Sequence, residues 1–128
     1  MQMEERKFLR LNDIEAYRIS FALSNRVWLA VGSWNSFARD TIGQQFVRSV
    51  DSISANIAEG FGRYGKRDKI KFFRYAQGSM YESLDWNEKA KVRQLLDIEQ
   101  YESFFVELKR LPKALNGLIR YTDDMLKI

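Results

Sequence analysis

Apolar residues recur three and four positions apart through four successive stretches of this chain. That periodicity predicts an all-α protein. The first stripe is Ile14, Tyr17, Phe21, Ser24, Trp28 and Val31, and the second is Ile42, Phe46, Ser49, Val50, Ile53 and Ile57. The third is Ile70, Phe73, Ala76, Met80, Leu84 and Asn87; the fourth is Ile98, Tyr101, Phe105, Leu108, Leu111, Leu115, Leu118 and Ile119. Helices are expected over roughly 13–36, 42–60, 67–96 and 98–124 within one domain spanning 1–128. Connections this short favour antiparallel neighbours, hence an up-down-up-down four-helix bundle.

Capping chemistry sets the expected boundaries. Asn12 with Glu15, Thr41 with Gln44, and Asp97 with Gln100 each have the three-residue spacing of a capping box. Gly60, Gly62 and Gly65 mark the end of the second helix, where left-handed backbone would close it and make an irregular turn. Pro112 lies inside the fourth stripe and predicts a kink near Leu108 to Leu111. Gly78, in the middle of the third helix, predicts a close approach by another group.

Composition narrows the function classes. A chain of 128 residues with 45% hydrophobic and 30% charged side chains can bury one core. No apolar run approaches the length of a membrane span and the N-terminus lacks a signal-peptide core, so no membrane partner and a cytoplasmic location are expected. Cysteine and histidine are both absent, which removes disulfides, thiol nucleophiles, imidazole bases and the common zinc and haem ligands. A non-enzymatic protein without cofactor or metal is the expectation.

Against this plain background one motif stands out. Arg48, Ser52, Ile53, the run Asn56-Ile57-Ala58-Glu59-Gly60, Arg63, Ala76, Gly78, Ser79 and Glu82 together closely resemble the pattern of the 23S rRNA-intervening-sequence proteins, or S23 family. Asp40-Thr41-Ile42-Gly43-Gln44-Gln45 is similar to one branch of it, and the likeness runs over nearly the whole chain. Ser54 departs from it where many relatives carry Pro, and Lys69 where an apolar residue is expected. The resemblance implies a four-helix-bundle subunit assembled as a homopentameric ring and implies no settled activity. The family also resembles bundle rings that assist a reverse transcriptase, which implies a protein partner as an alternative.

Three constellations compete for function. Gly60 to Gly65 spells the dinucleotide pattern G-x-G-x-x-G, but a helix rather than a strand precedes it, so it reads as a glycine-rich turn. Arg63, Lys66, Arg67, Lys69, Lys71 and Arg74 face a single nearby acid, Asp68, giving that segment a balance of +5 against −1 for the rest of the chain. Phe61, Tyr64, Phe72, Phe73 and Tyr75 are interleaved with these cations, the mixture that holds phosphates and stacks unpaired bases. Third, Arg48, Asp51, Asn56, Glu59, Ser79 and Glu82 interrupt apolar faces and are expected to satisfy one another across helices or subunits. Trp34, at a helix end, is the preferred aromatic anchor for an interface.

The expectation is an oligomeric scaffold that binds nucleic acid, RNA foremost, through the basic turn. A protein-interaction module with a solvated basic turn, and a carboxylate or metal enzyme at Glu59 and Glu82, stay open as alternatives.

Overall fold

The structure, a computed structural model, describes residues 10–127, and among them all regular structure is helical. A 3-10 turn, Leu11–Asp13, leads into the first long helix, Glu15–Gly32. The capping box expected at Asn12 does not form. Ile14 occupies the N-cap position and is buried, so anchoring that side chain in the core, rather than a polar cap, fixes where the helix begins. Asp13 instead receives the backbone N–H of Arg10, and Asn12 offers its carbonyl to the Arg18 guanidinium.

The second helix also starts earlier than its apolar stripe suggests. Asn35 is the cap, its Oδ1 accepting from the Ala38 N–H at 3.0 Å. A single helical turn, Ser36–Ala38, continues through a π-type turn, Arg39–Gly43, into Gln44–Gly62. Thr41 does not cap; its hydroxyl donates back to the Phe37 carbonyl, as Thr does inside a helix. The wider π turn occurs where Gly43 meets the end of the first helix: a Cβ there would lie 2.8 Å from Val31 Cγ1.

The third helix is Lys66–Val92 and the fourth Ile98–Met125. The fourth opens with the expected reciprocal box between Asp97 and Gln100 and runs unbroken through Pro112. Each long helix packs on two neighbours: first on second and fourth, second on third, third on fourth. Contacts that join opposite ends fix the antiparallel sense. Lys66, opening the third helix, meets Asp123 near the end of the fourth, and Arg26, late in the first, meets Ser103, early in the fourth.

The core follows the periodicity closely in the middle of the chain. Phe46, Val50, Ile53 and Ile57 are wholly buried, and so are Ala76, Leu108, Leu111 and Leu115. The first helix differs. It carries two apolar stripes: Ala16, Ile19, Leu23, Val27 and Ala30 face the core, and of the predicted stripe Ile14, Ser24 and Val31 are buried as well. Phe21 and Trp28, placed on the predicted stripe by their spacing, are 52% and 63% exposed. In the fourth helix Phe104 fills the core while its neighbour Phe105 lies at the surface. Ser49 and Ser83, both buried, tie the second helix to the third: Ser83 donates to Ser49 Oγ at 2.9 Å.

None of the described glycines adopts a positive φ, which corrects the left-handed turn expected at Gly60, Gly62 and Gly65. Arg63 and Gly65 are extended instead, so the chain leaves the helix without a left-handed residue. Gly60 is needed for space: a Cβ there would lie 2.6 Å from Phe73 Cε1 and 2.9 Å from the Lys69 carbonyl oxygen. The left-handed residue falls elsewhere, at Gln94 (φ 60°), where the N–H groups of Gln94 and Leu95 return to the carbonyls of Lys91 and Ala90. Gly78 meets nothing within 4 Å, so the close approach predicted there is not made within the subunit.

Candidate nucleic-acid interface

The turn joining the second and third helices holds the six predicted cations, and the fold gives them different tasks. Lys69 points inward. Its Nζ donates to the Phe61 carbonyl at 2.8 Å and the Gly60 carbonyl at 3.4 Å, satisfying oxygens that the last turn of the second helix leaves open. Burial lowers its pKa, and it is half-buried, which explains a cation at a position where an apolar residue is expected. Lys69 thus acts as a cap on the second helix. Lys66 ties the third helix to the fourth through the Asp123 carbonyl at 3.0 Å and its carboxylate at 3.4 Å.

Arg63 pairs with Glu59 at 3.0 Å and Asp68 at 3.7 Å, and its guanidinium lies over the Phe72 ring. Lys71 shares Asp68 at 3.2 Å. Arg67 and Arg74 are exposed and make no ion pair among the described residues. Exposed pairs such as Lys71 with Asp68 contribute about 0–1 kcal/mol, so a phosphate can displace them.

The aromatics divide similarly. Phe73 is core, and Phe61 is partly covered. Phe72 is half-buried, with Arg63 and Lys71 over its ring and Tyr75 edge-on at 5.4 Å. Tyr64 and Tyr75 are 83% and 53% exposed, and Tyr75 lies next to Arg74 in sequence and one helical turn from Lys71.

Within the subunit the six motif polar residues make no side-chain hydrogen bond or ion pair with one another. Arg48, Asp51, Glu59 and Glu82 are exposed, and Asn56 and Ser79 are half-buried. Asn56 donates to the Ser52 carbonyl of its own helix, and Glu82 accepts from Trp86 Nε1. Three-residue spacing places two groups on one helix face but does not say which way that face points. The cross-helix polar tie is Ser49 with Ser83. Among the described residues no group of three or more acids could hold a metal ion. No helix among them is long and apolar enough to cross a membrane.

Arg48, Asp51 and Ser52 line a groove of about 750 Å³ between the first and second helices, with Trp28, Gly32, Arg39, Asp40 and Ala55. Burial raises the Asp51 pKa. Trp34, the anchor expected from sequence, is buried within the subunit, and Trp28 is the tryptophan left open. The signal that would have found this groove is the doubling of apolar stripes on the first helix, since one helix cannot bury both against the same neighbours.

Three comparisons bear on this chain. No curated protein matches it. A solved structure of a protein of unknown function from the S23 ribosomal protein family of Bacteroides thetaiotaomicron is similar at a TM-score of 0.71. It is 24% identical and covers 81% of this chain and 97% of its own, a likeness that carries the fold. The family model described as 23S rRNA-intervening sequence protein matches residues 12–117, a span that contains the first three apolar stripes, the fourth as far as Leu115, the basic turn and every motif residue named above. This chain belongs to the 23S rRNA-intervening sequence protein family.

Proposed function

We propose that this protein is a non-enzymatic oligomeric scaffold of the cytoplasm that holds nucleic acid, RNA foremost, against the outer surface of the second-to-third helix turn. One observation carries the reading: Arg67 and Arg74 stand exposed without an ion pair, each one helical turn from Lys71, with Tyr75 and its open ring next to Arg74 in sequence. Lys71 completes the set, because its surface pair with Asp68 yields to a phosphate. Arg63, Lys66 and Lys69 hold the turn in shape.

The test is filter retention of RNA and DNA across a salt series. Three phosphate contacts per subunit on a single strand give a log-log slope of about −2, against about −4 if all six cations engaged phosphate. Replacing Arg67, Lys71 and Arg74 with Gln is expected to abolish the salt-sensitive retention. Retention that is insensitive to salt, or unchanged in that variant, refutes the reading.

Assembly is the second component. The exposed Phe21 and Trp28, and a groove that offers Arg39 and Arg48 beside Asp40 and Asp51, support a face made for another copy of the chain. A ring of five is the form that the family resemblance implies, and it would gather several basic turns and multiply a weak contact. Light scattering that returns one subunit's mass over a wide concentration range refutes it. Capture of one stoichiometric protein partner, indifferent to nuclease and without RNA, would favour a protein-docking role instead.

A further inference from the structure

Gly78 is hard to account for within the subunit. It sits inside the third helix, where glycine is less favoured than any residue but proline, and no atom lies within 4 Å of where its Cβ would be. The internal packing therefore does not require it. Around it on the helix surface stand Arg74 and Tyr75 on the preceding turn and Tyr81 and Glu82 on the following one. Tyr75 and Tyr81 are 53% and 64% exposed, large apolar rings that the fold leaves in water. The bare backbone at Gly78 is a low point between two open rings, and the strip runs on through Lys71 and Arg67 toward the turn.

We infer that this strip seats unpaired nucleobases, stacked against Tyr75 and Tyr81 over the gap at Gly78, with their phosphates directed toward Arg74, Lys71 and Arg67. The inference rests on the nucleic-acid reading above and adds the class of ligand: unpaired strands rather than duplex. In a duplex the base faces are already stacked, so the tyrosines gain nothing, whereas every unpaired base offers a π-face. Tyr75 is fixed edge-on by Phe72, which lowers the ordering cost of a platform. Glu82, which accepts from Trp86, and Asp85, paired with Lys89, put negative charge on the far side of Gly78. The phosphates are therefore directed one way along the helix, toward the basic turn.

The experiment measures fluorescence anisotropy of a labelled oligouridylate and of a fully paired RNA duplex of equal length, using the full chain. The parent is expected to bind the oligouridylate more tightly. Tyr75→Ala with Tyr81→Ala should weaken it by roughly tenfold per ring, with an unchanged salt slope and unchanged duplex binding, and Tyr→Phe at both positions should restore it. Gly78→Gln, which the open space accommodates, should fold with a melting temperature at or above the parent's and lose roughly tenfold in oligouridylate affinity. Equal affinity for both probes, with the parent's salt slope and no effect of the tyrosine variants, overturns the stacking seat and leaves the phosphate reading standing. Absence of binding to either probe overturns both. Loss of binding in Gly78→Gln only together with a fall in assembly mass also overturns the seat, because the gap would then belong to a subunit contact.

Discussion

Gly60→Ala tests the closest helix contact in the fold. Two effects oppose one another. Alanine is favoured over glycine inside a helix by about 1 kcal/mol, and Gly60 has a negative φ, so the backbone itself welcomes the change. Against that, the new methyl would lie 2.6 Å from Phe73 Cε1 and 2.9 Å from the Lys69 carbonyl oxygen. Phe73 is 2% exposed and has little room to turn, and the carbonyl belongs to the third helix, so relief means prising two helices apart. Overpacking of this kind costs about 1–3 kcal/mol, and the involvement of backbone argues for the upper end. A net loss of about 2 kcal/mol follows, which at an m-value near 2 kcal/mol/M lowers the urea midpoint by about 1 M. Gly78→Ala is the internal control: it has the same helical backbone, nothing within 4 Å, and an expected gain of up to about 1 kcal/mol. Both are compared with the parent at one protein concentration, so that any assembly contributes equally. If Gly60→Ala matches Gly78→Ala in midpoint, the close approach is refuted and the glycine belongs to the turn after all.

Lys69→Met keeps the half-buried stem and removes the donors to the Gly60 and Phe61 carbonyls; chemical denaturation should show a loss of about 1 kcal/mol with RNA retention unchanged, and a fall in retention would make Lys69 a ligand. Gln94→Gly relieves a left-handed residue at the close of the third helix and should raise stability by roughly 0.5 kcal/mol, so a lower midpoint would refute the strain at that site. Asp51→Asn should stabilise at neutral pH. Burial raises the carboxyl pKa, so the ionised form carries a penalty that is absent below the ordinary value of 3.8 and complete above the raised one. The advantage of Asn over Asp must therefore grow as pH rises from below 3.8 toward 7, and the opposite trend in urea midpoints would refute the assignment.

The parts of the fold that sequence made legible are those where one stripe dominates. In the second helix Phe46, Val50, Ile53 and Ile57 have no competing apolar face, and all four are buried. The first helix defeats the same reasoning because Ile19, Leu23 and Val27, flanked by the small Ala16, Ser20 and Ala30, carry the core contact while the larger Phe21 and Trp28 lie outside it. Spacing alone then gives two overlapping stripes and does not tell which of their residues lie outside the core. Phe104 and Phe105 are adjacent and chemically identical, so only packing decides that Phe104 goes in. At the site, the basic segment was visible as composition, but whether a lysine points at solvent or at a carbonyl is a tertiary fact. Lys69 and Arg67 are two residues apart on one helix and have opposite fates.

The arrangement of helices decides whether assembly and ligand binding compete. The first helix packs on the second and fourth, so the third lies diagonally across the bundle from it. The groove with Trp28 and Asp51 lies between the first and second helices, whereas Arg67, Lys71, Arg74 and Tyr75 occupy the solvent side of the third. A copy docked in the groove therefore leaves the basic strip uncovered. Lys66 ties the start of the third helix to the fourth through the Asp123 carbonyl and carboxylate. Each subunit of an assembly would then present the same preformed strip, and avidity would come from repetition without any change of shape.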